Sequence, residues 1–214
     1  MAKKPRVVII SGVDGSGKTS VIEAVKTELE RQGNTVNYAW LRYNHYLTKF
    51  LLAFCKFTGF TQYEYYENSR VVYHNFHKSK VISWLFIILT WIDTFFSSLV
   101  KVYIPLRFSK KTIICDRWVY DIMVDLETDT RIMFEPECFH TKIFKWLLPA
   151  ESKSFLIMRD YEKIRQTRDE SMNDSNFEVR FMLYKRHASD PDLMVVDNDG
   201  ELAETVAFVV RTIS

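Results

Sequence analysis

The sequence predicts an α/β domain of three layers, with a central parallel five-stranded sheet flanked by helices. Three observations carry that expectation. Five short apolar runs read as strands: Arg6–Ile10, Thr35–Trp40, Thr112–Cys115, Ser154–Met158 and Leu193–Val196. Helical patterns separate them, and strands alternating with helices give a mainly parallel sheet. The first strand runs directly into SGVDGSGKTS (residues 11–20), a glycine-rich turn opening a helix.

The first helix is expected over Lys18–Gln32, because Gly33-Asn34 supplies a C-terminal stop. Further helical patterns cover Leu47–Thr58, a long Lys78–Leu106, Pro136–Leu148, Tyr161–Arg168, Phe177–His187 and Glu201–Thr212. Parallel sheets of this kind place ligand sites beyond the carboxyl ends of their strands. The 6 Gly and 5 Pro are scattered without a linker, repeat or low-complexity stretch, so residues 1–214 read as a single domain.

Composition bounds the function. A hydrophobic share of 47% supports a full core, and a net charge of +2 gives no electrostatic case for a nucleic-acid partner. Three cysteines, Cys55, Cys115 and Cys138, are odd in number and lack metal-like spacing, as expected for reduced thiols. MAKKPR leads into a strand without a cleavage site, so the expected location is cytoplasmic. Val81–Val100 is long enough to span a bilayer. Asp93 near its middle costs about 2.5–3.5 kcal/mol on insertion scales, which favours a buried helix over a membrane span and leaves a peripheral contact open.

Gly12-x-x-x-x-Gly17-Lys18-Thr19 matches the P-loop pattern. Its glycines let successive N–H groups point inward, where the next helix begins with its positive dipole end. ATP contacts are expected from Gly12, Asp14, Gly15, Ser16, Gly17, Lys18, Thr19 and Ser20. Lys18 is placed to reach the β- and γ-phosphates, and Thr19 to ligate Mg²⁺. No N-K-x-D motif for guanine is present, and the D-x-x-G match at Asp197–Gly200 follows the last strand, too late for a switch. A small-molecule kinase is thus favoured over a GTPase.

KKTIICDRWVYD ends a β-branched strand with Asp116 and Arg117. An acid there can hold a Mg²⁺-bound water, and the adjacent arginine can bridge phosphates as charge moves. Together with the P-loop, the chain resembles the thymidylate kinase family of P-loop nucleoside-monophosphate kinases. The resemblance rests on SGVDGSGKTS, CDRW and the C-terminal order SFLIM, YEKIRQTRDE, SMNDSN, FEVRFMLYKRHA, LMVVD. It implies a P-loop kinase fold with a short lid at about 168–178, and ATP- and Mg²⁺-dependent transfer, first of all dTMP + ATP to dTDP + ADP. It also implies a homodimer.

By the same resemblance Lys18, Arg117, Asp14 and Arg168 are catalytic, with Arg165 and Arg180 as weaker lid candidates. Asp14 would approach the acceptor; the alternative is a turn former bonding its own backbone. The acceptor set is Asp14, Arg42, Asp93, Arg117, Asp121 and Asp125. Here the chain departs from the family pattern. WLRYNHY stands in place of R-E-P-G, Asp93-Thr94 in place of an Asp-Arg pair, and Asp121 and Asp125 where Ser and Tyr-Gln are usual. Extra carboxylates would repel a phosphate but suit sugar hydroxyls or a base amine, so a nucleoside, sugar or lipid-linked acceptor is the alternative. A nucleotide-binding regulatory or membrane-associated module is the third reading.

Overall fold

A computed structural model describes residues 5–66, 69–167, 174 and 176–213. Five parallel strands form the central sheet: β1 (Val7–Ser11), β2 (Val36–Trp40), β5 (Thr112–Asp116), β6 (Ser152–Met158) and β7 (Leu193–Asp197). Their order is β2-β5-β1-β6-β7. Register pairs Ile10 with Asp116 on one side and with Phe155 on the other, so the phosphate loop leaves the sheet between two strand ends.

The period of two along β1 divides the core. Val7 and Ile9 face one apolar cluster, and Val8 and Ile10 face the other. The second cluster is closed by α1 (Lys18–Arg31) and α9 (Leu202–Ile213) through Val21, Val25, Val209 and Ile213. The first is closed by α2 (Thr48–Phe57), α3 (Lys80–Ser98), α5 (Val119–Thr130), α6 (Phe139–Lys145), α7 (Tyr161–Thr167) and α8 (Asn176–His187). Each fully buried Val or Ile side chain adds about 1.5–3 kcal/mol of apolar transfer. The expected three-layer α/β architecture of a P-loop kinase fold, with its parallel five-stranded sheet, is what the chain adopts. The proposed lid at 168–178 falls largely outside the described residues.

Three elements differ from expectation. A hairpin of β3 (Thr61–Tyr66) and β4 (Ser69–His74) stands between α2 and α3, where the sequence analysis assigns no element. The expected helix Lys78–Leu106 is broken: a π turn at Leu99–Tyr103 joins α3 to α4 (Ile104–Phe108). Pro105 has no N–H to give the Lys101 carbonyl, and the wider turn absorbs that loss. The third is α5, absent from the sequence reading. It packs against α3, α6, α8 and β4, and of its twelve residues all but Asp125 are buried.

The run Lys80–Phe108 is long and apolar enough to cross a membrane by length and composition. Within the chain one face is covered, while Val81, Trp84, Leu85, Ile88, Phe96 and Val100 stay exposed. The expected burial therefore holds for one face of this helix.

Candidate active site

Glycine permits the loop's geometry at two positions in particular. Gly12 has φ +144° and Gly17 φ +88°, and a β-carbon at either would collide, with the Ile157 carbonyl and with Asn198 Nδ2 respectively. Asn198 Nδ2 donates to the Ser16 carbonyl at 2.8 Å, its backbone N–H donates to Met158 O, and Thr205 Oγ1 donates to its Oδ1. Gly17 begins α1 with no side-chain cap, so the first N–H groups of that helix are left for an anion. The Ser16 hydroxyl is buried without a hydrogen-bond partner among the described residues. An orphaned donor inside a curled loop fits phosphate oxygens.

Lys18 folds back so that its ammonium bonds the Val13 carbonyl. It is almost wholly buried, and desolvation, reinforced by the nearby Arg117 charge, pulls its pKa down to about 7. Phosphates would restore the charge that burial disfavours. Thr19 and Ser20 lie exposed at the start of α1.

Arg117 follows β5 with φ 61°, a left-handed conformation that costs a non-glycine residue about 1–3 kcal/mol. The turn aims its guanidinium at the loop: Nη1 donates to Gly12 O at 3.1 Å and to Asp121 Oδ1 at 3.2 Å, and Nη2 donates to Asp14. Asp14 is also reached by Arg42 Nη1 at 3.5 Å. Arg42, nearly buried, grips Asp125 with two hydrogen bonds of 2.8 and 2.7 Å. Asp14, Arg42, Arg117, Asp121 and Asp125, all expected at the site, are thus brought together.

Asp116 ends β5 and accepts a 2.7 Å hydrogen bond from Tyr38 Oη, whose pKa burial and this carboxylate push up to about 12. Among the described residues no group of three His, Cys, Asp or Glu could hold a metal ion. Mg²⁺ takes one or two protein ligands together with waters and substrate phosphates; the residues expected to supply them are Thr19, exposed at the start of α1, and Asp116 at the end of β5.

Asp93 lies elsewhere. Its carboxylate accepts from the backbone N–H groups of Tyr46, Leu47 and Thr48, and from Thr48 Oγ1 at 2.7 Å. It therefore caps α2 from α3, and burial beneath that cap corrects its expected place in the acceptor set: it does not line the cavity. Arg168 falls outside the described residues, and Arg165 lies over the Tyr161 ring. Arg180 does reach the site, 3.8 Å from Asp125 and 2.7 Å from Asp174.

Beside Asp125 opens a cavity of about 290 Å³ between α2, the hairpin, α3, α5 and α8. Leu52, Val72, Phe86, Ile122 and Leu126 give it apolar walls, and Tyr43, His74, Thr90, Asp129 and Arg180 give it polar points. Sequence reasoning missed Tyr38, Asp129, Tyr184 and Asn198. The first, third and fourth act through contacts 78, 63 and 182 residues apart, for which no local signal exists. Asp129 had one: Asp121, Asp125 and Asp129 recur every four residues along one helix face.

Residues 1–43, which hold β1, the phosphate loop, α1, β2 and Arg42, match the family model of Zeta toxin, a P-loop kinase-like family. No curated protein matches the chain. The loop geometry, the parallel sheet and this match together describe a P-loop kinase-like protein, without singling out thymidylate kinase.

Proposed function

We propose that this protein transfers the γ-phosphoryl group of ATP to a hydroxyl of a small, uncharged acceptor held in the cavity beside Asp125. The observation that carries this reading is the convergence of Arg117 and Arg42 on Asp14, at the seam between phosphate loop and cavity. The loop N–H groups, Lys18 and Arg117 would hold the phosphates where charge develops. Asp14 would orient the attacking hydroxyl. The new bond joins the acceptor oxygen to γ-phosphorus as the bond to the β–γ bridging oxygen breaks; ADP departs and the hydroxyl proton passes to Asp14 or solvent. Magnesium brought with ATP would neutralise the β- and γ-oxygens near Thr19 and Asp116.

An uncharged acceptor is favoured because Arg42 is already bidentate with Asp125, and a second carboxyl, Asp129, lines the same cavity. A phosphate would have to displace one carboxylate and approach another. The second reading is transfer to a nucleoside monophosphate, dTMP first. Its support is that two guanidiniums meet at the loop mouth, as a phosphate acceptor would need.

The test is to follow ADP release from Mg²⁺-ATP with free nucleosides, simple sugars and the nucleoside monophosphates. ADP release with an uncharged alcohol that disappears in Lys18→Ala is the expected result. Release with dTMP alone would install the second reading. No acceptor-dependent release, with ATP still bound, would overturn both.

A further inference from the structure

We propose that Asp129 is a specificity-determining residue, which hydrogen-bonds a carbonyl-type oxygen on an uncharged ring of the acceptor from the end of the cavity remote from the phosphate loop. This rests on the kinase reading above, since it assigns the far end of the same cavity.

The position follows from the helix. Asp121, Asp125 and Asp129 form a ladder at i, i+4 and i+8 on α5. The lowest carboxylate accepts from Gly12 N–H, so it belongs to the loop. The middle one is spent on Arg42. Eight residues at 1.5 Å each put the third about 12 Å from the first along the axis, the span of a nucleoside-sized molecule.

Asp129 is 8% exposed and lines the cavity. Among the described residues nothing hydrogen-bonds or ion-pairs with its carboxylate. A second polar group of the same cavity also lacks a partner among the described residues: Thr90 Oγ1 is buried without a hydrogen bond. Native interiors rarely leave such groups unmade. Two of them around one empty space point to a ligand that completes them.

The protonation state fixes what that ligand offers. Burial, then the neighbouring Asp125, pushes the Asp129 pKa up to about 8, against smaller opposing effects of Arg180 from α8, Arg131 beyond the helix end and Arg42. On the facing side, burial lowers the His74 pKa to about 4 and lowers that of His45, so both rings are neutral. Burial raises the Tyr43 phenol, which stays protonated. At neutral pH the remote end thus presents the Asp129 O–H and the Thr90 hydroxyl as donors, with Arg180 held between Asp125 and Asp174. Donors call for oxygen acceptors, and the walls of Phe86, Ile122 and Leu126 call for a flat apolar ring rather than a free anion.

The experiment uses uridine and cytidine, which differ by a carbonyl against an amino group, in direct binding to the full chain with Mg²⁺-ADP present. Uridine is expected to bind about tenfold tighter than cytidine at pH 6.5, one hydrogen bond's worth of discrimination. Its affinity should fall about fourfold by pH 8.5, as a group with a pKa near 8 ionises. In Asp129→Leu the preference should shrink and lose its pH dependence, because the side chain that donates to the carbonyl and titrates is gone. A wild-type preference that ignores pH, a preference unchanged in the variant, or no binding of either nucleoside at millimolar concentration would each overturn the proposal. The wild-type pH series alone decides it should the variant fail to fold. Binding with the expected pattern but without Lys18-dependent ADP release unseats the kinase reading and leaves the recognition standing; Lys18-dependent release onto an acceptor indifferent to Asp129 does the reverse.

Discussion

Tyr184 donates its phenolic proton to Asp121 Oδ1 at 2.7 Å, and the same oxygen accepts from Arg117 and from the Gly12 N–H. One buried carboxylate oxygen therefore ties α8, the strand-end arginine and the phosphate loop into a single unit.

Replacing Asp121 by Asn should cost about 1.5–3 kcal/mol, since the buried Arg117 guanidinium loses one of its two carboxylate partners and keeps Asp14. Urea denaturation at pH 7 checks this. A loss below about 1 kcal/mol would mean that the carboxylate is not what holds the loop.

Lys18→Ala should reduce kcat by about 10²-fold or more with the fold retained. Lys18→Met also makes a prediction about pH. Because burial lowers the lysine pKa from 10.5 to about 7, the stability it contributes is present above pH 10.5 and is lost as pH falls through 7. Thermal melts of the nucleotide-free protein should therefore show Lys18→Met above wild type at pH 6.5, with the gap closing by pH 10. A constant gap would mean that the ammonium is not desolvated.

Asp129 has the opposite slope. Its raised pKa means that its stability is fully present below pH 3.8 and is lost as pH rises through about 8. Asp129→Asn should match wild type in acid and exceed it by pH 8.5, read as a rising difference in melting temperature. Equal melting temperatures at pH 8.5 would show the carboxylate to be hydrated.

Asp93→Ala should destabilise the protein by about 2–3 kcal/mol, because three backbone N–H groups and the Thr48 hydroxyl lose their acceptor at once. Below the melting transition the KM for the acceptor should stay within about twofold of wild type. A large rise in KM with unchanged stability would return Asp93 to the acceptor set.

The sheet and the phosphate loop were legible because their signals are local: β-branched runs, glycines at fixed offsets, and a helix stop at Gly33. The helix α5 was hidden because it is buried nearly all round although half its residues are polar, with four acids, Asp121, Asp125, Glu127 and Asp129, where a buried helix is not expected to carry them. Asp93 was placed by likeness of spacing along α3, whereas its role is decided by the chain 45 to 47 residues earlier. Arg42 lies within reach of Asp14, but its pairing with Asp125 depends on how β2 and α5 meet, which no window of sequence encodes.

The amide of Asn198 sits against Gly17 and holds the Ser16 carbonyl, 182 residues away in the chain. Residues 1–43 carry the loop sequence and Arg42, which reaches Asp14, but the other groups that shape the loop come later: Asp121, Arg117, the Ile157 carbonyl and Asn198. A truncated chain that stops before β7 is therefore expected to bind Mg²⁺-ADP poorly however well its early strands pair, because the loop would lack the amide that closes it from behind.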